Sequence, residues 1–235
     1  MAEHRFCNPR TGVRFSHGAP SKYMKKALIL GCSHAAGSEM SQEPGLIFDN
    51  IAQAENYEQM NCFPAQIAKR LGYDPINRSI PGGSNDAMFR LFLEEALTTN
   101  DIVIACWTGA NRSEIYHGQW IALAAGTTPD KVDEDYFKHW MLYSANDVLG
   151  SLNKRKNILA LNALAHEQGI PVINIDSFWP LAEDVIWPKS VHWAVSIDFW
   201  SWCQQHDFPR TDWGHFFKSA HDSFAEHVLK HSYIQ

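Results

Sequence analysis

The chain has 235 residues, enough for one domain with a sizeable core. Hydrophobic residues make up 45% and charged residues 20%, the balance of an ordinary soluble globular protein, and a net charge of -6 excludes the basic field that a general nucleic-acid binder needs. Cys7, Cys32, Cys62, Cys106 and Cys203 form no Cys-x-x-Cys pair, which excludes a zinc ribbon or a disulfide framework and leaves reduced, partly buried thiols.

Residues 1–24 are polar and lack a period, and they read as an arm ahead of a domain at 25–235. "MAEHRFCNPRTGVRF" has no apolar signal-peptide core, and no apolar run is long enough to span a membrane. The expectation is a cytoplasmic protein, or one assembled there and carried elsewhere, such as a virion component. "KALILGCS" is a short buried strand with a glycine stop. "FPAQIAKRLGY" has apolar residues at helical spacing, with Gly72 placed for a C-terminal cap. "PINRSI" reads as a second strand broken by "PGG". Ser84 is a cap candidate for an amphipathic helix through "SNDAMFRLFLEEALTTN". "DIVIACW" is a third strand, Glu134–Gln168 is helical in one or two pieces, "PVINIDS" is a fourth strand, and "AHDSFAEHVLKH" is a closing helix.

Short apolar strands alternating with helices predict a three-layer α/β sandwich with a short parallel sheet. Functional groups in such sheets sit beyond the carboxyl ends of the strands. There the sequence places Ser33-His34, then "PGGSND", then "TGANR", while "TDWGHFFKSAH" precedes the last helix. A serine hydroxyl becomes a nucleophile when a base takes its proton, and His215 is the candidate base. Asp212, three residues earlier, can reach the imidazole across one turn and fix its tautomer. The Ser33 N–H, the Gly82 N–H and the Asn111 side-chain amide are candidate donors to an oxyanion. Each piece alone has an ordinary reading as a turn, a cap or a surface pair. Together, in one chain and at strand ends, they favour a nucleophilic Ser33.

These blocks resemble the SGNH hydrolases, also called GDSL esterases. "GCSHAAG" matches the nucleophile block through Ser33, and "NRSIPGGSN" matches the oxyanion block through Gly82. "TGANR" matches Gly-x-Asn through Gly109 and Asn111, and "DWGH" matches Asp-x-x-His through Asp212 and His215. "CFPAQIAKRLGY", "PGGSND" and "WTGANRSE" also resemble SGNH-like proteins of phages and marine bacteria. The resemblance spans roughly residues 27–232. It implies a flavodoxin-like fold and hydrolysis of carboxylic esters through an acyl-serine, with no metal or organic cofactor. The implied partner is a small-molecule or carbohydrate ester, with no nucleic acid and no membrane. Two positions depart from the pattern. Cys32 stands where the family usually has aspartate, and Arg112 stands where aspartate often follows the asparagine. Arg112 can hold an anionic substrate group or pair with Glu114.

Twelve histidines include His221, His227 and His231 on the last helix, but no spacing suits zinc. A helix face is the expectation, with His221 as a possible support for His215. His34 can line the pocket or cap the next helix. Of nine tryptophans, Trp179, Trp187, Trp193, Trp200, Trp202 and Trp213 crowd the C-terminal third, and "FWPLAEDVIWPKSVHWAVSIDFWSW" reads as a substrate wall or lid, with Trp213 beside His215. The preferred substrate class is small acyl groups on carbohydrate. A lipid or thioester acylhydrolase is the enzymatic alternative, and a non-catalytic binding or virion structural protein is the other.

Overall fold

The computed structural model describes residues 25–124, 132–143, 145, 147–178 and 186–232, so the N-terminal arm read at 1–24 lies outside the described residues. The chain begins with β1 (Lys26–Leu30), a short α1 (Ser33–Ala36), α2 (Ile51–Asn61), α3 (Phe63–Arg70) and β2 (Asp74–Asn77). It continues through α4 (Asn85–Glu94), β3 (Ile102–Trp107) and a hairpin of β4 (Arg112–Tyr116) and β5 (Trp120–Ala124). Then come α5 (Glu134–Tyr143), α6 (Asp147–Glu167), β6 (Val172–Asp176), α7 (Phe199–Gln205) and α8 (Lys218–His231). The main sheet has four parallel strands in the order β2-β1-β3-β6, flanked by helices on both faces, as the alternating pattern predicts.

The strand period of two builds both layers. In β1, Ala27 and Ile29 join Ile104, Cys106 and Ile175 under α3, α7 and α8. Leu28 and Leu30 join Val103, Ala105 and Trp107 under α4 and α6. All six residues of β3 are buried, as a central parallel strand covered twice must be. One polar cluster beside it is satisfied within the core. Trp107 donates from Nε1 to Asn174 Oδ1 at 2.9 Å, and Asn174 exchanges hydrogen bonds with Asn162 on α6.

The strand and helix expectations hold in kind and shift at their ends. β2 closes at Asn77 rather than Ile80, although the Arg78 and Ile80 N–H groups still donate to Ile29 and Gly31. α4 is capped by Ser84, whose hydroxyl accepts from the Ala87 N–H, and it ends at Glu94. The segment 134–168 forms two helices, α5 and α6. α2, the β4–β5 hairpin and α7 are additions to the expected list.

His221 is a core residue, 1% exposed and stacked near Phe199 and Phe63, not a solvated helix position. Its Nδ1 accepts the Phe63 N–H at 3.1 Å. Burial pushes its pKa down to about 3, with the nearby Asp222 carboxylate acting the other way. Unfolding releases a histidine that titrates near 6.5, so the unfolded chain binds the extra proton. The stability from neutral burial is complete above about pH 6.5 and is lost as pH falls toward 3. His221→Gln keeps an acceptor for the Phe63 N–H but cannot titrate. Its stability, followed by denaturant unfolding between pH 7 and 4, is expected to fall less steeply than the parent's, by up to about one bound proton. Parallel curves would show that His221 does not take up a proton on unfolding.

Candidate active site

Four parallel strands place their carboxyl ends along one edge, and the candidate residues collect there. A cavity of about 520 Å³ is lined by Ser33 after β1, Gly82 after β2, Asn111 and Arg112 after β3, and Phe178 after β6, with His215 from the loop before α8.

The turn that carries Ser33 folds straight back on its strand. A Cβ at Gly31 would lie 2.5 Å from Ala35 Cβ and 3.0 Å from the Cys106 carbonyl, so only glycine admits α1 this close. Cys32 occupies the cap position in extended conformation, is fully buried, and makes no side-chain capping bond. Other groups hold the turn in its place. Asn77 donates from Nδ2 to the Ala35 carbonyl at 3.0 Å, and the Ser38 N–H donates to the Ser33 carbonyl at 3.0 Å. Asn77 opens the block "NRSIPGGSN" and closes β2, and nothing in its local sequence marks it as a brace for the serine turn.

His215 lines the cavity with its side chain 19% exposed. Here the structure corrects the expected pairing. Asp212 is exposed and makes no hydrogen bond or ion pair among the described residues, because a tight turn carries it to the surface: Gly214 N–H donates to the Thr211 carbonyl, and Thr211 N–H donates to the His215 carbonyl. The carboxylate beside the imidazole is Glu39, whose Oε2 lies 3.1 Å from His215 Nδ1. That contact is at ion-pair distance but off hydrogen-bond direction, and Nδ1 has no other partner. The Thr211 hydroxyl donates to the same Glu39 oxygen at 2.5 Å and accepts the His215 N–H at 3.2 Å, tying both residues to one loop.

Glu39 adopts φ 65°, ψ 3°, a left-handed conformation that side chains other than glycine, asparagine and aspartate rarely take. Such backbone costs about 1–3 kcal/mol and persists where the surrounding structure fixes it, most often at functional sites. Here it belongs to the residue that lines the cavity beside His215.

Among the described residues no hydrogen bond engages the Ser33 N–H, the Gly82 N–H or the Asn111 side-chain amide, and all three residues line the cavity. Gly82 sits at φ +75° with open space beside it. The Asn111 loop is clamped by Asn85, buried at the start of α4. Asn85 accepts the Thr108 N–H at 3.0 Å and donates to the Thr108 and Gly109 carbonyls at 3.3 and 3.4 Å. The motif "PGGSND" therefore supplies both a cavity glycine and the brace for the next block.

His34 sits in an aromatic box, 5.2–5.6 Å from the rings of His215, Trp200, Phe178 and Phe199. Burial holds its pKa well below the usual histidine value, assisted by His215, His221 and Arg112, so it lines the cavity as a neutral ring. Trp213 is 83% exposed at the rim, and Trp200 forms part of the wall. The expected tryptophan wall is narrower than the sequence suggests. Trp187 and Trp193 pack on each other against the α4/α6 core, and Trp202 stacks with His206 and His227. Residues 179–185 of that segment lie outside the described residues. His227 and His231 pack ring to ring on α8, and no group of three or more His, Cys, Asp or Glu among the described residues is placed to hold a metal.

Ser33, His215 and Glu39 line one cavity with the three unengaged donors, an arrangement that can supply a nucleophile, a base and a carboxylate to orient it. No hydrogen bond links the Ser33 hydroxyl to His215, and such contacts often tighten only around substrate.

No protein-family model matches the sequence, and no curated protein matches it. Solved structures of GDSL-type esterases and acylhydrolases do match. One is a psychrotrophic esterase from Pseudoalteromonas, 14% identical, covering 88% of this chain and 96% of that chain with a TM-score of 0.47. Another is a protein assigned to the G-D-S-L lipolytic family from Desulfitobacterium hafniense, 12% identical, covering 88% and 98% with a TM-score of 0.46. A third is TesA, 15% identical, covering 88% and 97% with a TM-score of 0.47. At these values the likeness carries no weight for the chemistry, which is read from the site itself.

Proposed function

We propose that the chain is a serine ester hydrolase acting through an acyl-Ser33 intermediate. The observation that carries this reading is His215, which shares a cavity with Ser33 while its Nδ1 faces the Glu39 carboxylate at 3.1 Å. A carboxylate at Nδ1 fixes the tautomer that leaves Nε2 free to act as base. The Ser33 hydroxyl adds to the ester carbonyl and its proton passes to His215. The carbonyl oxygen becomes an oxyanion held by the Ser33 N–H, the Gly82 N–H and the Asn111 amide. Collapse releases the alcohol with the proton from His215. Water, deprotonated by His215, then cleaves the acyl-serine and frees the acid. No cofactor enters this scheme.

The cavity's modest size and the Trp200 and Trp213 faces beside it favour small acyl groups, with carbohydrate as the alcohol. The test is hydrolysis of 4-nitrophenyl esters from acetate to octanoate, with a peracetylated sugar alongside. Turnover is expected to peak at acetate or propionate, to fall by octanoate, and to extend to the sugar acetate. A rate that climbs with chain length would move the assignment to a lipid or thioester acylhydrolase. Hydrolysis of none of them would favour a non-catalytic protein that keeps the fold.

A further inference from the structure

Arg112 begins β4, directly after Asn111, and lines the same cavity. Its Nη1 is buried without a hydrogen-bond partner. No described carboxylate lies within ion-pair distance of its guanidinium. The obvious neighbour, Glu114, is two residues along the same strand and therefore on the same face. It is taken: Arg90 binds it through Nε to Oε1 at 2.9 Å and Nη2 to Oε2 at 3.0 Å, a two-point grip that uses both oxygens. Glu39, the carboxylate on the opposite wall, is engaged by Thr211 and His215. The Phe178 ring, 5.9 Å from the Arg112 guanidinium carbon, adds only a weak cation–π contact.

A buried guanidinium N–H without an acceptor is costly, and proteins seldom leave one so. The guanidinium is a planar fork suited to carboxylate and phosphate oxygens. Its backbone adjoins that of the oxyanion candidate Asn111, so an anion held there sits within one side chain's reach of the scissile carbonyl. We propose that Arg112 forms an anion subsite, and that the substrate is an ester carrying a second, negatively charged group close to the ester bond. This rests on the reading of the site as an ester hydrolase.

Two matched pairs of esters test it. 4-Nitrophenyl hemiglutarate and its methyl ester place the charge on the acyl side, while 4-acetoxybenzoate and its methyl ester place it on the alcohol side. The parent is expected to prefer the charged member of at least one pair in kcat/KM by roughly tenfold to a hundredfold, the worth of a charge-assisted hydrogen bond. Arg112→Gln is expected to collapse that ratio toward one, and Arg112→Lys, which keeps the charge and loses the fork, to leave an intermediate ratio. Because the readout is a ratio within each variant, a general loss of activity or fold does not imitate it. A parent that hydrolyses both members of both pairs equally overturns the subsite and leaves the esterase reading standing. Glutarate binding, read as a rise in Tm, separates the reverse case. If no ester is hydrolysed but glutarate raises the Tm of the parent and not of Arg112→Gln, the subsite stands and the esterase reading falls.

Discussion

Ser33→Ala is expected to lower ester turnover by about a thousandfold or more while the fold and Tm stay close to those of the parent. The size follows from removing the atom that bonds to the acyl group, after which only the oxyanion donors and binding remain to assist water. The neutrality for folding follows from the local structure. Among the described residues the Ser33 hydroxyl makes no hydrogen bond, its turn is held by Asn77 and by backbone bonds, and alanine is at home in a helix. His215→Ala should cost a similar factor. The double variant should cost little more than either alone, because nucleophile and base act as one unit. Steady-state kinetics with 4-nitrophenyl acetate, with thermal melts on the same preparations, give both readouts. Parent-like turnover in Ser33→Ala would remove Ser33 from the mechanism.

Glu39→Gln is expected to lower kcat by about a hundredfold to ten-thousandfold with little change in KM, and Asp212→Asn to change either by no more than about threefold. The amide keeps the size of Glu39 but removes the charge that favours an imidazolium, and it can hold the ring in the wrong tautomer. Asp212 is exposed and unpaired, so its charge is screened by water. A kcat effect without a KM effect is the mark of an interaction made in the transition state, which a merely structural Glu39 would not produce. Glu39→Asp, with the carboxylate retained on a shorter arm, should recover part of the rate. A large loss in Asp212→Asn with an active Glu39→Gln would restore the Asp-x-x-His pairing.

The sheet was legible because its two central strands are short and almost wholly apolar, as at "ALIL" and "IVIACW", and because Ser84 announces α4 in the ordinary way. α2 was not, since none of its residues is buried and it carries no apolar stripe to recognise. The β4–β5 hairpin was less legible because β4, "RSEIY", is rich in polar residues and only half-buried, although "YHGQW", with Gly118 at φ +70°, carries a turn signal. That Ser33, Gly82, Asn111 and His215 would gather at one cavity was readable because each follows a strand or precedes the last helix. Glu39 was not readable. Its partners Thr211 and His215 lie more than 170 residues away, and the contact depends on a left-handed residue that no composition rule expects. Asp212 had the right spacing, and the turn at Thr211–Gly214 took its side chain elsewhere. Arg112 could be seen as a cation beside the pocket, but only the Arg90–Glu114 pair shows that Glu114 is not its partner.

The central claim, that Ser33 is an activated nucleophile, is tested most directly by labelling the native protein with a fluorophosphonate and locating the adduct by peptide mass spectrometry. The account predicts one adduct per chain, on Ser33, absent in Ser33→Ala and much slower to form in His215→Ala and Glu39→Gln. An unmodified Ser33 in a preparation that hydrolyses esters, or an adduct on another residue, would contradict it.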